Sequence, residues 1–329
     1  MQITISTAEH PGHCRRFAVS MMMPNSITSG LMQTACHRSA GNDYEQQRSL
    51  SARIFCGLTI LALPLVLFNV METIPLLKGC VWGPFQSPRL GRTLWINPLP
   101  TAYKLCSLNC LYCRLGASDN VATDVTPYEN DMPSAERILS SLEDTLLKGA
   151  DFDTLAVSGN GEPTLHPEFG DIARGIRGLL ADNDIKKTFA LLSNSTTLVK
   201  EDIKNLVSEF DLPIFKLDAG REETFERVNR PDPHIKFEDI VTELKELGPG
   251  IHLQAVFVAG PSGNMNARDL EAWMKIIREI KPKAVEIYST NREFPGMGIQ
   301  MVPLVILEEL AKKAEKYSKI PVVAYGNWR

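Results

Sequence analysis

Three of the chain's seven cysteines, Cys106, Cys110 and Cys113, fall within eight residues, spaced Cys-x3-Cys-x2-Cys in KLCSLNCLYCRLG. Thiolates are soft ligands, and one loop carrying three at this spacing can bring them to a single metal centre. Three protein ligands leave one iron of a four-iron, four-sulfur cluster open, and an open iron can bind a substrate or a second cofactor. A structural zinc site uses the same residue types but closes with a fourth Cys or His. Cys80 is the nearest other cysteine, none follows Cys113, and His166 is a further candidate for that fourth place. An odd, clustered set fits a disulfide framework poorly. Tyr112, just before the last cysteine, adds an aromatic wall beside the centre.

Polar groups suited to a small ligand recur further along. Gly159-Asn160-Gly161-Glu162 follows the apolar TLAVS. Its glycines permit positive φ and close approach of backbone, and an acidic side chain at a strand end can receive an ammonium group. The same four residues also fit an ordinary βα turn closed by Pro163. Ser193 and Asn194 end the next apolar run, and Lys216 and Asp218 the one after; they offer hydroxyl, amide and carboxylate groups, or a Lys-Asp pair that satisfies itself. AVFVAG, from Ala255 to Gly260, is either an adenine-facing edge or a plain core strand. Arg230, His234 and Arg292 are candidates for gripping an anion, although surface ion pairing is the commoner fate of such residues. His166 suits a helix start better than a metal. The four tryptophans are scattered, unlike a stacking platform for single-stranded nucleic acid.

These residues need a scaffold that gathers them. Short apolar runs at 154–158, 188–193, 213–217, 252–258 and 284–288 alternate with amphipathic stretches at 134–147, 167–180, 200–209, 237–247, 267–280 and 304–317. That alternation predicts an α/β fold of βα units around a parallel sheet, with ligands at the carboxyl ends of the strands. The candidate residues sit just there. At 329 residues, with 44% hydrophobic and 22% charged, the chain has the composition of a globular protein, which excludes collagen, coiled coil and bulk disorder. A net charge of −4 argues against broad, non-specific nucleic-acid binding.

Residues 1–75 read differently. No lysine precedes Lys78, and residues 1–53 show no helical or strand period. Residues 54–70, IFCGLTILALPLVLFNV, carry no charge, but 17 residues interrupted by Pro64 make a short span. One reading is a membrane anchor, with Arg48 and Arg53 keeping the amino terminus inside. The expectation here is a poorly ordered extension, or an untranslated one with Met71 as the true start, ahead of a domain over 76–329.

With these motifs in hand, the chain is identified as a member of the radical SAM superfamily. The cysteine spacing, with an aromatic before the third cysteine, is that of the superfamily. Gly83-Pro84, SPRLGRTLWINP (Ser87 to Pro98), Arg114-Leu115-Gly116 after the cysteines, SGNGEPTLHPEF (Ser158 to Phe169), LSNST (Leu192 to Thr196), KLDAG (Lys216 to Gly220) and Asn229-Arg230-Pro231 occur in one order. That set resembles stand-alone iron-sulfur oxidoreductases grouped with wyosine-type tRNA-modifying enzymes, over residues 76–329. Pro88 departs from the pattern, where relatives usually carry arginine, and the family lacks the extension.

The resemblance implies a partial (β/α)6 barrel with the cysteine loop after the first strand. It implies one [4Fe-4S] cluster on Cys106, Cys110 and Cys113, and S-adenosylmethionine (SAM) on the open iron. Gly159, Asn160, Gly161 and Glu162 correspond to the element that holds the SAM amino group; Ser193, Asn194, Lys216 and Asp218 correspond to ribose and carboxylate contacts. A flavodoxin or ferredoxin would supply a low-potential electron, SAM would be cleaved to a 5′-deoxyadenosyl radical, and that radical would take hydrogen from a small-molecule, protein or RNA substrate. An oxygen-sensitive cluster implies the cytoplasm. With no cysteine after Cys113, an auxiliary downstream cluster cannot be built from thiolates. A tRNA-modifying enzyme and a non-catalytic zinc- or partner-binding protein are the alternatives.

Overall fold

The computed structural model describes residues 2–7, 17–22, 74–118, 120–290 and 295–326. Near the amino terminus, β1 (Gln2–Thr7) and β2 (Phe17–Met22) pair antiparallel, Gln2 opposite Met22. The two strands take up twelve of the residues over 1–53, where the sequence reading assigns no element. The apolar run 54–70 and Met71 lie outside the described residues. Among those described, no helix is long and apolar enough to cross a membrane.

The remainder is built on one sheet. Its strands are β3 (Val81–Ser87), β4 (Gly91–Ile96), β5 (Thr154–Val157), β6 (Thr188–Ser193), β7 (Leu212–Lys216), β8 (His252–Ala259), β9 (Ala284–Ser289), β10 (Gln300–Met301) and β11 (Val322–Ala324). The helices are α1 (Ala135–Leu147), α2 (Phe169–Asp182), α3 (Glu201–Asn205), α4 (Glu222–Asn229), α5 (Phe237–Leu247), α6 (Ala267–Ile280) and α7 (Leu304–Ser318). Strands β4 to β9 lie side by side in chain order, all parallel, as successive βα units require. This is the open (β/α)6 arrangement. Short β11 extends it in parallel beyond β9, and β3 closes the other edge antiparallel to β4.

Period-2 alternation assigns the two faces of the sheet. Leu94, Ile96, Leu155, Val157, Phe189, Leu191, Phe215, Leu253, Phe257 and Ile287 pack with helix residues such as Ile138, Ile172, Ile176, Leu244 and Ile277 in the main core. The residues between them, Ala156, Ala190 and Ile214, form a smaller cluster on the opposite face with Trp95, Leu192 and Leu212. Both faces are therefore covered, and β5 is buried along its whole length, which is why it reads as continuous apolar sequence. Helix starts follow their sequence signals: Ser134 accepts from Arg137 N at the head of α1, and Asn266 from Asp269 N at the head of α6.

The residue after the atypical Pro88 carries a conspicuous contact. Arg89 Nε donates to Glu286 Oε2 at 2.5 Å, and its NH2 donates to Gln254 Oε1 at 2.9 Å, tying the β3–β4 turn to β8 and β9. The ion pair is nearly dry, with side chains 4% and 11% exposed. Removing one partner of such a pair strands the other charge. Arg89→Ala is expected to cost about 3–5 kcal/mol, read as a lower urea midpoint at unchanged slope.

Candidate functional site

The cysteine loop begins ten residues beyond the carboxyl end of β4. It is held from beneath by the turn after β5. Leu105 N donates to Asn160 O at 3.0 Å and Glu162 N donates to Leu105 O at 3.1 Å, a short parallel bridge between Leu105 and Gly161. Gly159 and Gly161 both hold positive φ, 138° and 149°. Their close approaches are to protein: a Cβ on Gly161 would stand 1.6 Å from the Leu105 carbonyl oxygen, and one on Gly159 would stand 2.2 Å from Asn97 Oδ1. Asn160 is buried and committed. Its Nδ2 donates to the carbonyls of Leu77 and Pro100 and its Oδ1 accepts from Leu77 N, at 2.8–3.0 Å. The glycine turn thus fixes the strand that leads into Cys106.

From above, the loop is held by the chain after α4. Arg230 ends that helix in the left-handed region, φ 46°, and turns the chain back. Leu108 then pairs with Pro231, Asn109 N and Leu111 N donate to the carbonyls of Asn229 and Val228, and Asp232 N donates to Ser107 O. Leu111 and Tyr112 pack on Val228, Val256, Val258 and Ile299, an apolar wall that keeps water from this side of the loop.

Two carboxamides reach the cysteine sulfurs. Asn194, after β6, donates from Nδ2 to Cys106 Sγ at 3.5 Å and to Ser107 Oγ at 2.9 Å. Asn229, at the end of α4, donates from Nδ2 to Cys110 Sγ at 3.3 Å. Burial pushes the Cys106 thiol up to about 12, with Lys104 opposing, and burial also raises Cys110, with Lys216 opposing. A metal centre bound there would displace thiol protons as the thiolates form, and its loading would strengthen as pH rises.

Beneath Cys110 lies a buried polar knot. Asp218 Oδ2 accepts from the Tyr112 hydroxyl, from Asn229 Nδ2 at 2.6 Å and from Lys216 Nζ at 3.3 Å; its Oδ1 accepts from Val256 N at 2.8 Å. Lys216 also donates to Tyr112 Oη at 2.9 Å and lies over its ring. Burial alone would lower the Lys216 ammonium, but Asp218 and Cys110 outweigh it and hold it above its usual value. For Tyr112, burial and Asp218 both raise the phenol well above its usual value.

Glu162 belongs to the same layer. Its Oε1 accepts from Thr164 N at 3.2 Å and Thr164 Oγ1 at 2.5 Å, and its Oε2 from Asn194 N at 2.5 Å. Burial raises this carboxyl, and those donors pull it back. Ser193 is buried, accepts from Ser195 N and also hydrogen-bonds the Glu162 carboxylate. The structure therefore gathers Tyr112, Gly161, Glu162, Asn194, Lys216 and Asp218 around the cysteines, and leaves the Asn160 side chain outside the group. His234 faces solvent against Asp232, and Arg292 lies outside the described residues. His166 has both ring nitrogens engaged, Nε2 with Pro133 O and Nδ1 accepting from Glu168 N, at the start of α2. It stands apart as a helix-start residue.

Asn229, Asn97, Ser107 and Thr164 escape sequence reasoning as individual site residues; Asn229 carried a signal through its Asn-Arg-Pro motif alone. Among the described residues, no three His, Cys, Asp or Glu side chains converge closely enough to hold one metal ion. A cluster makes a different demand, since it takes each thiolate on a separate corner and needs the sulfurs to line one pocket. The chemistry of the donor set suits a cluster: three cysteines on one loop, Cys110 close enough to Cys106 and Cys113 for their charges to interact, carboxamide N–H groups on two sulfurs, and the cations of Lys104 and Lys216 near Cys106 and Cys110 to offset thiolate charge.

The profile of the Radical SAM superfamily matches residues 102–261. A UPF0026 protein of Synechocystis sp. is 31% identical over 266 residues, covering 74% of this chain and 94% of that one. A protein named GTPase Obg, of Brachyspira hyodysenteriae, is 30% identical over 240 residues; the match covers 72% of this chain but one third, 33%, of that relative's length. In structure, a radical SAM methyltransferase from Sphaerobacter thermophilus superposes with a TM-score of 0.53 at 12% identity, over 74% of this chain and 68% of that one, a likeness of fold.

Proposed function

The chain belongs to the radical SAM superfamily and to the family of UPF0026 proteins, and on that premise we propose that it is an enzyme holding one [4Fe-4S] cluster and SAM. Cys106, Cys110 and Cys113 would hold the cluster, in the domain over residues 76–329. When bound, the two groups would supply radical chemistry, a one-electron cleavage of the sulfonium leading to removal of hydrogen from a substrate. The observation that carries this reading is the single buried network joining the cysteine loop to the turn after β5 and to the ends of β6 and β7.

Each residue in that network has work of its own. The Leu105–Gly161 bridge fixes the loop's entry, and Leu111 and Tyr112 exclude water from one flank. Glu162 presents a buried negative charge for the SAM ammonium group, fixed in place by Thr164 and Asn194. Asp218 orients Tyr112, Lys216 and Asn229 together. The Ser193–Asn194 turn and Lys216 are the polar groups offered to the rest of SAM. The electron comes from a low-potential donor of flavodoxin or ferredoxin type, and the oxygen sensitivity of such a centre suits the cytoplasm. The substrate is a small molecule, protein or RNA.

Anaerobic reconstitution, reduction and analysis of the products test the proposal. The expected result is about four irons per chain and release of 5′-deoxyadenosine. Retention of zinc with no SAM cleavage overturns it, and about eight irons per chain would contradict a single cluster.

A further inference from the structure

We propose that Asn229 and Asn194 are positioning residues that set the electron affinity of the centre, each presenting a carboxamide N–H to one cysteine sulfur. The inference rests on reading the cysteine loop as a cluster site. Asn229 donates to Cys110 at 3.3 Å, and Asn194 to Cys106 at 3.5 Å. The two come from different elements, the end of α4 and the turn after β6, 119 and 88 residues from their cysteines, so local chain geometry does not produce the pairing.

In both cases the rest of the protein compels the nitrogen to face the sulfur. Asn229 Nδ2 also donates to the Asp218 carboxylate at 2.6 Å and reaches Tyr112 Oη at 3.3 Å; a flipped amide would set oxygen against that anion. The enforced orientation leaves Asn229 Oδ1 buried without a hydrogen-bond partner among the described residues, in a residue only 1% exposed. Native proteins seldom leave a buried acceptor unmade, because its desolvation costs about 1–3 kcal/mol. Retaining that cost makes sense if the nitrogen has a task on the other side. Asn194 is locked by the opposite device: its Oδ1 accepts from Thr196 N at 3.0 Å and Thr196 Oγ1 at 2.8 Å, so its nitrogen must point to Ser107 and Cys106.

The physical consequence has a definite sign. Reduction adds negative charge to a cluster, and part of it resides on sulfur. An N–H donor to a ligand sulfur stabilises the reduced state more than the oxidised one and raises the potential. Loss of either amide lowers it.

The test is an equilibrium redox titration of the anaerobically reconstituted protein, followed by electron paramagnetic resonance with iron content measured on the same sample. Asn229→Ala and Asn194→Ala are each expected to keep about four irons per chain and to shift the midpoint to lower potential, with the double variant lower than either. Unchanged or raised potentials in variants that hold the cluster overturn the inference. Because Asn229→Ala also takes a donor from Asp218, a second measurement uses the unaltered chain: with asparagine labelled in 15N, the reduced wild-type centre should show coupling to carboxamide nitrogen, and absence of coupling overturns the inference without any variant. If wild-type protein takes up zinc and no cluster, the cluster reading itself has failed, an outcome distinct from a loaded centre indifferent to both amides.

Discussion

Alanine at Cys106, Cys110 or Cys113 is expected to reduce iron in the reconstituted protein from about four per chain to a small residue, and to lower 5′-deoxyadenosine formation by more than about 100-fold. The size of the effect follows from ligand count. A centre held by three thiolates has no spare protein ligand, and no cysteine follows Cys113 to substitute. The change should not unfold the chain. Burial holds the Cys106 and Cys110 thiols above their ordinary values, so the metal-free protein carries them neutral, and alanine removes packing without stranding a charge. The metal-free variants should lie within about 1–2 kcal/mol of the metal-free wild type in urea unfolding. Cys80→Ala is the internal control: its sulfur is set among Arg137 and Ser141 of α1, and that variant should load iron normally. A Cys110→Ala protein with wild-type iron content would place the centre elsewhere.

Much of the scaffold is legible because its signals are local. The runs at 188–193, 237–247 and 267–280 match β6, α5 and α6 at both ends, since each pattern stops at a polar or turn residue. What escapes is short or interrupted. β3 contains Gly83-Pro84, a breaker pair tolerated because that strand lies on the sheet edge. β4 opens on Gly-Arg, which hides a strand whose partners on both sides make it the first of the parallel set. β11 is three residues long, and α4, at eight, is too short to show a period. α3 gives way at Leu206 to a 3-10 turn, where one longer helix over 200–209 is the sequence expectation.

The site divides in the same way. The cysteines announce themselves because their chemistry is written in seven-residue spacing. The groups that surround them do not, because they are joined by folding alone: Tyr112 meets Asp218 across 106 residues and Lys216 across 104. Sequence offers two readings of Gly159 and Gly161, backbone opened to a ligand or a tight turn. The structure adds a third partner, the chain entering Cys106, which residue types alone cannot name. Asn160 illustrates the converse: its place in the motif suggests a ligand contact, yet its amide is consumed by Leu77 and Pro100.

That third partner makes Gly161 the glycine, among the described residues, where an added methyl meets the closest obstruction. The added methyl would lie 1.6 Å from Leu105 O and 2.5 Å from its carbonyl carbon, with φ at 149°. These are backbone atoms paired to the turn itself, so no side-chain rotation relieves the overlap. Either the Leu105–Gly161 bridge opens or the end of β5 shifts, and the first moves the residue next to Cys106. The expected cost is at least about 3 kcal/mol, with iron uptake lost in whatever fraction folds. Two other glycines separate this from a general intolerance. Gly149→Ala meets nothing within 4 Å but has φ at 76°, so it should cost only about 1 kcal/mol of backbone strain. Gly178→Ala, inside α2 with open space around it, should stabilise by about 0.5–1 kcal/mol. Urea midpoints and iron content of the three variants give the order directly. A Gly161→Ala protein as stable as Gly149→Ala, with its iron intact, would show that the turn after β5 does not hold the cysteine loop.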